Sequence, residues 1–305
     1  MNKFTVAALG FGLGVAGLAQ AQSQLSLYNV ITKGAFDTTS DVEGKVVAYS
    51  IGSSGATYAQ KLSGSKSTDI NVAIQTALPS GNPINMQYGS MYAPSNPNNR
   101  IINFNQSGGA LKTSPAFDFN TVFNGITTES TAYSGYSATG SKTWDSAQNT
   151  ETLKVTSLRS GGVAVFSLSA SDLNHANESL ALNLNGFNPT AIIINVNASN
   201  FSGNSTDYWS LNQFQSLASK VLWNFYNAGA VALNSAWYGS VLAPSASLSS
   251  QGVITGSVGV STFSTQQEVH LAPWTGVPEA STVTALGFVA LGAGLTLARR
   301  RSVLV

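Results

Sequence analysis

Between residues 221 and 256 the chain reads VLWNFYNAGAVALNSAWYGSVLAPSASLSSQGVITG, in which short apolar runs alternate with small residues. Leu222-Trp223-Asn224-Phe225, Val231-Ala232-Leu233, residues 238–243 and residues 253–256 read as strands. Asn227-Ala228-Gly229, Asn234-Ser235 and Pro244-Ser245 break them. Strand-length runs that recur after one or two small residues, with no helix between them, predict an all-β stack or solenoid.

The rest of the body follows the same pattern. Residues 25–31 alternate as a strand, Lys33-Gly34 turns the chain, and residues 41–49 form a second strand with a kink at Gly44. Residues 69–78 place Ile70, Val72 and Ile74 on one face of a third. Residues 79–83 and 93–100 are loops, and 101–104 is a strand. After residue 152 come strands at 153–155, 163–168, 180–184 and 190–196. The run Ile192-Ile193-Ile194 predicts a strand buried on both sides. Val258, Val260, Phe263, Val269 and Leu271 carry the pattern to Pro273-Trp274.

Two segments have helical spacing instead. Phe119, Val122, Phe123, Ile126 and Tyr133 recur at three- and four-residue steps, with Asp118 or Asn120 as the cap. One apolar stripe predicts a helix lying against a sheet. Thr127-Thr128 and Ser130-Thr131 weaken its second half, because hydroxyls and β-branches compete with helix. Residues 206–220 predict a second helix, with Asp207 near its cap and Tyr208, Leu211, Phe214, Leu217 and Ala218 on one side. No linker divides residues 22–276, so one mainly β, solenoid-like domain with an amphipathic helix alongside is the expected fold.

Composition narrows the function. Only 9% of the 305 residues are charged and the net charge is +1, which leaves no basic face for nucleic acid or anionic lipid. Cysteine is absent, which excludes thiolate metal sites and a cysteine nucleophile. Ser, Thr, Asn and Gly supply most of the polar surface, as is common in extracellular β proteins.

Both ends read as addresses. Residues 1–21 combine Lys3, an apolar run and Ala19-Gln20-Ala21, whose small residues suit signal peptidase cleavage before Gln22. Gly10-Phe11-Gly12-Leu13-Gly14 lies inside this segment and opens no βαβ unit, so it is no dinucleotide loop. At the far end, Val277-Pro278-Glu279-Ala280-Ser281-Thr282 precedes an uncharged apolar stretch at 283–298 and then Arg299-Arg300-Arg301. A helix of about 16 residues is near the lower limit for spanning a bilayer, and the arginines favour the cytoplasmic side. This order resembles the PEP-CTERM sorting signal of Gram-negative bacteria, with Ala280 where that family usually has a second proline. The resemblance implies processing near the motif by an exosortase, an intramembrane transpeptidase, and delivery to the envelope, cell surface or extracellular matrix. An ordinary membrane anchor is the plainer alternative.

The body resembles the choice-of-anchor A family. The residues that carry this are Asn29-Val30-Ile31 with Gly34, residues 40–46 (SDVEGKV), Phe117-Asp118-Phe119, residues 169–173 (SASDL) and Ile194-Asn195-Val196. The most specific are residues 222–228 (LWNFYNA) and 239–246 (GSVLAPSA). Tyr49-Ser50-Ile51-Gly52 stands where the family usually has paired glycines. That family is similar in layout to ice-binding-like adhesive domains, which implies a right-handed β-helix flanked by a long helix. An adhesive or structural role follows from the resemblance, with an exopolysaccharide or another surface polymer as the partner. Exposed Tyr and Trp would supply amphipathic contacts.

Candidate chemistry is sparse. Asp172, His175 and Glu178 have metal-ligand spacing only if helical, and a surface loop between strands is the better reading. Asn195, Asn197, Asn200, Asn204 and Asp207 offer oxygens for Ca²⁺ but more readily form turns. His270 reads as the outward member of a last strand. No Gly-x-Ser-x-Gly elbow marks a nucleophile, and the acidic residues never pair in sequence. No catalytic, cofactor or metal residue is assigned. A polysaccharide lyase or hydrolase on a β-helix is the enzymatic alternative. Ice binding is another, and it would need a flat threonine array that Thr127-Thr128 and Thr150-Glu151-Thr152 do not provide.

Overall fold

Short apolar runs become short parallel strands because each pairs with the equivalent run one coil away, and no strand can bury its inward side chains alone. The computed structural model describes residues 22–174, 179–203 and 212–276. The first arm holds α1 (Gln24–Leu27), β1 (Val30–Thr38), β2 (Val46–Ile51), β3 (Thr57–Tyr58), β4 (Ile70–Ile74), β5 (Ile84–Met86), β6 (Ser90–Tyr92), β7 (Ile102–Phe104) and β8 (Leu111–Lys112). The helix α2 (Phe119–Ser134) follows. The second arm has β9 (Gly140–Asp145), β10 (Thr150–Val155), β11 (Val163–Ser169), β12 (Ser179–Asn183), β13 (Ala191–Asn197) and β14 (Asn200–Ser202). It continues through α3 (Asn212–Gln215), β15 (Val221–Asn224), β16 (Ala230–Leu233), β17 (Trp237–Tyr238), β18 (Ser240–Ser250), β19 (Ile254–Thr255), β20 (Val258–Thr265) and β21 (Val269–His270).

The main sheet runs β11-β13-β15-β18-β20-β1-β2-β4-β6-β8, all parallel. The first arm therefore coils away from the middle of the stack and the second arm coils back to it. They meet where Val30 pairs with Val46 on one side and Val258 on the other. The chain makes a three-sided coil. The first face is that main sheet. A second face holds β14, β16 and the later halves of β18, β20 and β1. A third holds β17-β19-β21 and β3-β5-β7, joined through bridges from Val42 to Val269 and Tyr58.

Two cores result. Val72, Ile74, Ile192, Ile194, Trp223 and Phe225 fill the coil interior. Ala73, Ile193, Leu222 and Leu242 point the other way, towards Val122 and Ile126 of α2 and the flanking Leu25 and Trp274. Alternate residues of the first face thus serve opposite cores, which is why Ile192-Ile193-Ile194 is fully buried. Trp223, Phe225 and Leu242, from the strand-like runs between residues 221 and 256, lie in these cores.

Buried amides fasten α2 to the sheet. Asn224 Nδ2 donates to Ser130 O at 3.0 Å and to Asn195 Oδ1 at 2.9 Å, while Ser130 Oγ donates to Asn224 Oδ1 at 2.7 Å. Asn195 Nδ2 donates to Tyr133 O at 2.7 Å. Asn29 has an equivalent role at a corner, where its Nδ2 donates to Gly256 O at 2.7 Å and its Oδ1 accepts from Gly44 N at 3.0 Å.

Several sequence expectations are corrected. Residues 25–31 are not one strand: α1 forms first, because Glu129 of α2 accepts from Ser23 Oγ at 2.6 Å and Gln24 N at 2.7 Å and pins the chain end. Lys33-Gly34 is no turn but a register shift inside β1, where Gly34 lies against Ser261 and Thr262. The strand expected at 41–49 begins only at Val46, and it runs through Tyr49-Ser50 to Ile51 without a turn. Pro244-Ser245 do not end a strand; β18 bends there between the first and second faces. The second half of α2 persists because Ile126, Ser130 and Tyr133 are buried against the sheet, while Thr127, Thr131 and Ser134 turn their hydroxyls back to Phe123 O, Thr127 O and Thr131 O. The helix expected over 206–220 is broken in its described part into α3 and a 3₁₀ turn, Ala218–Lys220; residues 206–211 lie outside the described residues.

Candidate functional site

The second face is the most regular exposed surface among the described residues. Its strands repeat a small–large–small triplet: Asn200-Phe201-Ser202, Ala230-Val231-Ala232, Ser247-Leu248-Ser249, Thr262-Phe263-Ser264 and Ala35-Phe36-Asp37. Strand alternation sends the middle residue inward and its neighbours out. The middle residues are buried, and Phe36 stacks on Phe263 with ring centroids 5.3 Å apart. Parallel register then lines up the outer ones. Asn200, Ala230, Ser247 and Thr262 make one row, and Ser202, Ala232, Ser249, Ser264 and Asp37 make the other. Neighbours within a row are about 4.8 Å apart and the rows about 6.6 Å apart, from strand geometry.

Because most of the outward side chains are Ala, Ser and Thr, the face sinks into a shallow trough of about 660 Å³. Asp37 is the one ionisable residue lining it, and Phe201, Val231, Leu248 and Phe263 form its floor. The surface can present a grid of methyls and hydroxyls to an extended or periodic partner. It holds no acid–base pair. In the first arm Arg100, which is 4% exposed, ties neighbouring loops together. Its guanidinium donates to Asn82 O, Gly52 O and Ser54 O at 2.9, 2.8 and 2.6 Å. Burial pulls the guanidinium down from its usual pKa.

Among the described residues, those singled out from sequence have separate structural roles. Asp172 belongs to the capping box of the 3₁₀ turn Ala170–Leu173 and pairs with Lys142. Burial pushes its carboxyl up, but the Lys142 ammonium and the Ser169 N–H and O–H hold it below the usual carboxylate range. His175 and Glu178 lie outside the described residues. The described members of the oxygen set for Ca²⁺ take separate roles. Asn195 is buried beneath α2 and makes no turn, Asn197 accepts from Asn227 at 2.9 Å, and Asn200 edges the trough. Asn204 and Asp207 lie outside the described residues. His270 is half-exposed on β21, 2.8 Å from Glu268 Oε2. Trp223, Trp237 and Trp274 are buried and so offer no surface contact. Ala19, Ala21, Val277, Pro278, Glu279, Arg299, Arg300, Arg301 and the apolar stretch 283–298 lie outside the described residues. Among the described residues no helix is long and apolar enough to cross a membrane.

The trough was missed in sequence because Ser and Ala dilute its apolar signal. The small–large–small triplet, recurring wherever a coil turns onto this face, is the sign that finds it.

The solved structures similar to this chain include three ice-binding proteins. An ice-binding protein from the Antarctic ascomycete Antarctomyces psychrotrophicus is 12% identical, covering 82% of this chain and 96% of its own, with a TM-score of 0.32. One from an Antarctic biological consortium is 12% identical over 88% of this chain and 92% of its own, with a TM-score of 0.33. A glycosylated ice-binding protein (LeIBP) from Arctic yeast is 11% identical over 84% and 95%, with a TM-score of 0.30. No curated protein matches. A family model described as "Putative Ice-binding-like adhesive domain" matches residues 21–271. With that match covering residues 21–271 of the 305, the chain belongs to this ice-binding-like adhesive domain family.

Proposed function

We propose that the protein is an exported adhesin or structural component of the cell surface or extracellular matrix, and that the second-face trough contacts a surface polymer. The observation that carries this reading is the in-register double row of small side chains over a rigid floor. Such a surface meets a long repetitive partner at many weak points, and its own backbone is already fixed, so little ordering cost is added on contact. Family membership supports the adhesive role. The two ends complete the proposal: a signal peptide cut after Ala21, and a PEP-CTERM-like tail cut by an exosortase near Val277-Pro278-Glu279, with the envelope or matrix of a Gram-negative bacterium as the destination.

The test is sedimentation with a panel of insoluble polysaccharides, scored for bound protein and for new reducing or unsaturated ends. Ser249→Tyr, which puts a ring in the middle of the trough, is expected to cut retention at least about tenfold while the melting temperature holds. Retention unaffected by Ser249→Tyr would remove the trough from the mechanism. New chain ends would make the protein an enzyme. A second reading, adsorption to ice, is favoured by the same regular grid, in which Thr262 is the one threonine. Thermal hysteresis that Ser249→Tyr abolishes, without polymer retention, would select it.

A further inference from the structure

A second cavity, of about 410 Å³, lies at the opposite end of the first face, between β4, β6, β8 and the segment that leads into α2. Its apolar wall is Ile70, Tyr92 and Phe117, and its polar groups are Thr68, Ser114 and Lys112. The wall is rigid. Phe117 packs 6.4 Å from Tyr28, 6.4 Å from Tyr92 and 4.8 Å from Phe119, and Tyr92 is only 7% exposed. Lys112 is fixed through its backbone, since β8 pairs with β6 and Ala93 N donates to Lys112 O at 3.1 Å. The ion pairs among the described residues join Lys142 with Asp172 and His270 with Glu268; neither involves Lys112.

The cavity falls in the size range of small-molecule sites, with aromatic walls and a few polar groups that set orientation. Aromatic rings accept the C–H face of a pyranose, hydroxyls bond sugar hydroxyls, and an ammonium half-sheltered by apolar walls strengthens its bond to a carboxylate. We infer that this cavity binds a uronate-type sugar unit of an acidic polysaccharide, with Lys112 on the carboxylate and Phe117 against the ring. This rests on the reading that the domain adheres to a polysaccharide, and it names the class. It also gives the protein two contacts of different character: a charge-selecting cavity, and a trough in which Asp37 is the one charge.

The test is calorimetric titration of the exported protein with trigalacturonate and with a neutral galactotriose. Trigalacturonate is expected to bind and to weaken with added salt, the neutral trisaccharide to bind about tenfold or more weakly, and Lys112→Gln to erase that difference. Lys112→Arg keeps the charge and is expected to retain binding, which separates loss of the contact from loss of the fold. Ser249→Tyr should leave the titration unchanged. The inference is overturned if neither sugar binds, if both bind equally, if Lys112→Gln is silent, or if Ser249→Tyr removes binding. The first three results leave retention by the trough, which the sedimentation assay reads separately, untouched; the fourth would move the sugar from the cavity to the trough.

Discussion

At the scale of single residues, buried polar groups decide how the helix and the coil fit together. Asn224 is fully buried and bonds to Ser130 and Asn195 at once. Asn224→Ala strands the Ser130 hydroxyl, the Ser130 carbonyl and the Asn195 amide oxygen, so a loss of about 3 kcal/mol is expected from the cost of unpaired buried groups. Urea unfolding measures it; a loss below about 0.5 kcal/mol would mean that other groups replace the amide without cost. The apolar anchors were legible in the sequence, because Trp223, Phe225 and Leu242 sit in strand-like runs and have nowhere else to go. Asn195, Asn224 and Arg100 were visible only as members of motifs or loops. Their partners lie up to 94 residues away in the case of Asn224, and local pattern carries no information about such partners.

At the scale of elements, docking overrides local preference. The alternation over residues 25–31 is a fair strand signal, yet the segment coils into α1 because Glu129 holds Ser23 and Gln24. Burial raises the Glu129 carboxyl above its ordinary value of 4.5, and the bonds from Ser23 and Gln24 offset part of that rise. The folded state therefore binds the proton more tightly than the unfolded chain does. The contribution of Glu129 is fully present below pH 4.5 and declines as pH rises through its elevated folded value. Glu129→Gln removes the titration and keeps an acceptor. The stability of wild type relative to this variant should fall between pH 4 and pH 7 in paired thermal melts, and a rise would reverse the assignment. Pro244 shows the same override in β18. A proline that reads as a break is accommodated where the strand bends from one face to the next and the pairing register shifts.

At the scale of the molecule, a coil of short strands was legible, because turn residues recur at coil intervals. The order of the coils was not, since nothing local in residues 30–38 says that they pair with both 46–51 and 258–265. The trough was hidden for a related reason: its rows are contributed by triplets far apart in the chain, and only the parallel register assembles them. Export belongs to this scale too. Intact-mass measurement of protein recovered from its native surface or medium should find a chain starting at Gln22 and lacking residues 283–305. A full-length tail would refute sorting, and a retained leader would refute cleavage at Ala21.

The insertion of β1 between β2 and β20 governs when the domain can finish folding. Val30 meets Val46 early in synthesis, but its other neighbour, Val258, is 228 residues further on (258 − 30). Pairings of such separation form slowly, because loop closure must be completed before the contact stabilises anything. Until the last coil emerges, the middle of the stack stays open and the second arm has no strand to close against. The ribosome thus releases a chain that is late to lock, since most of the domain is synthesised before its central strand is paired on both sides.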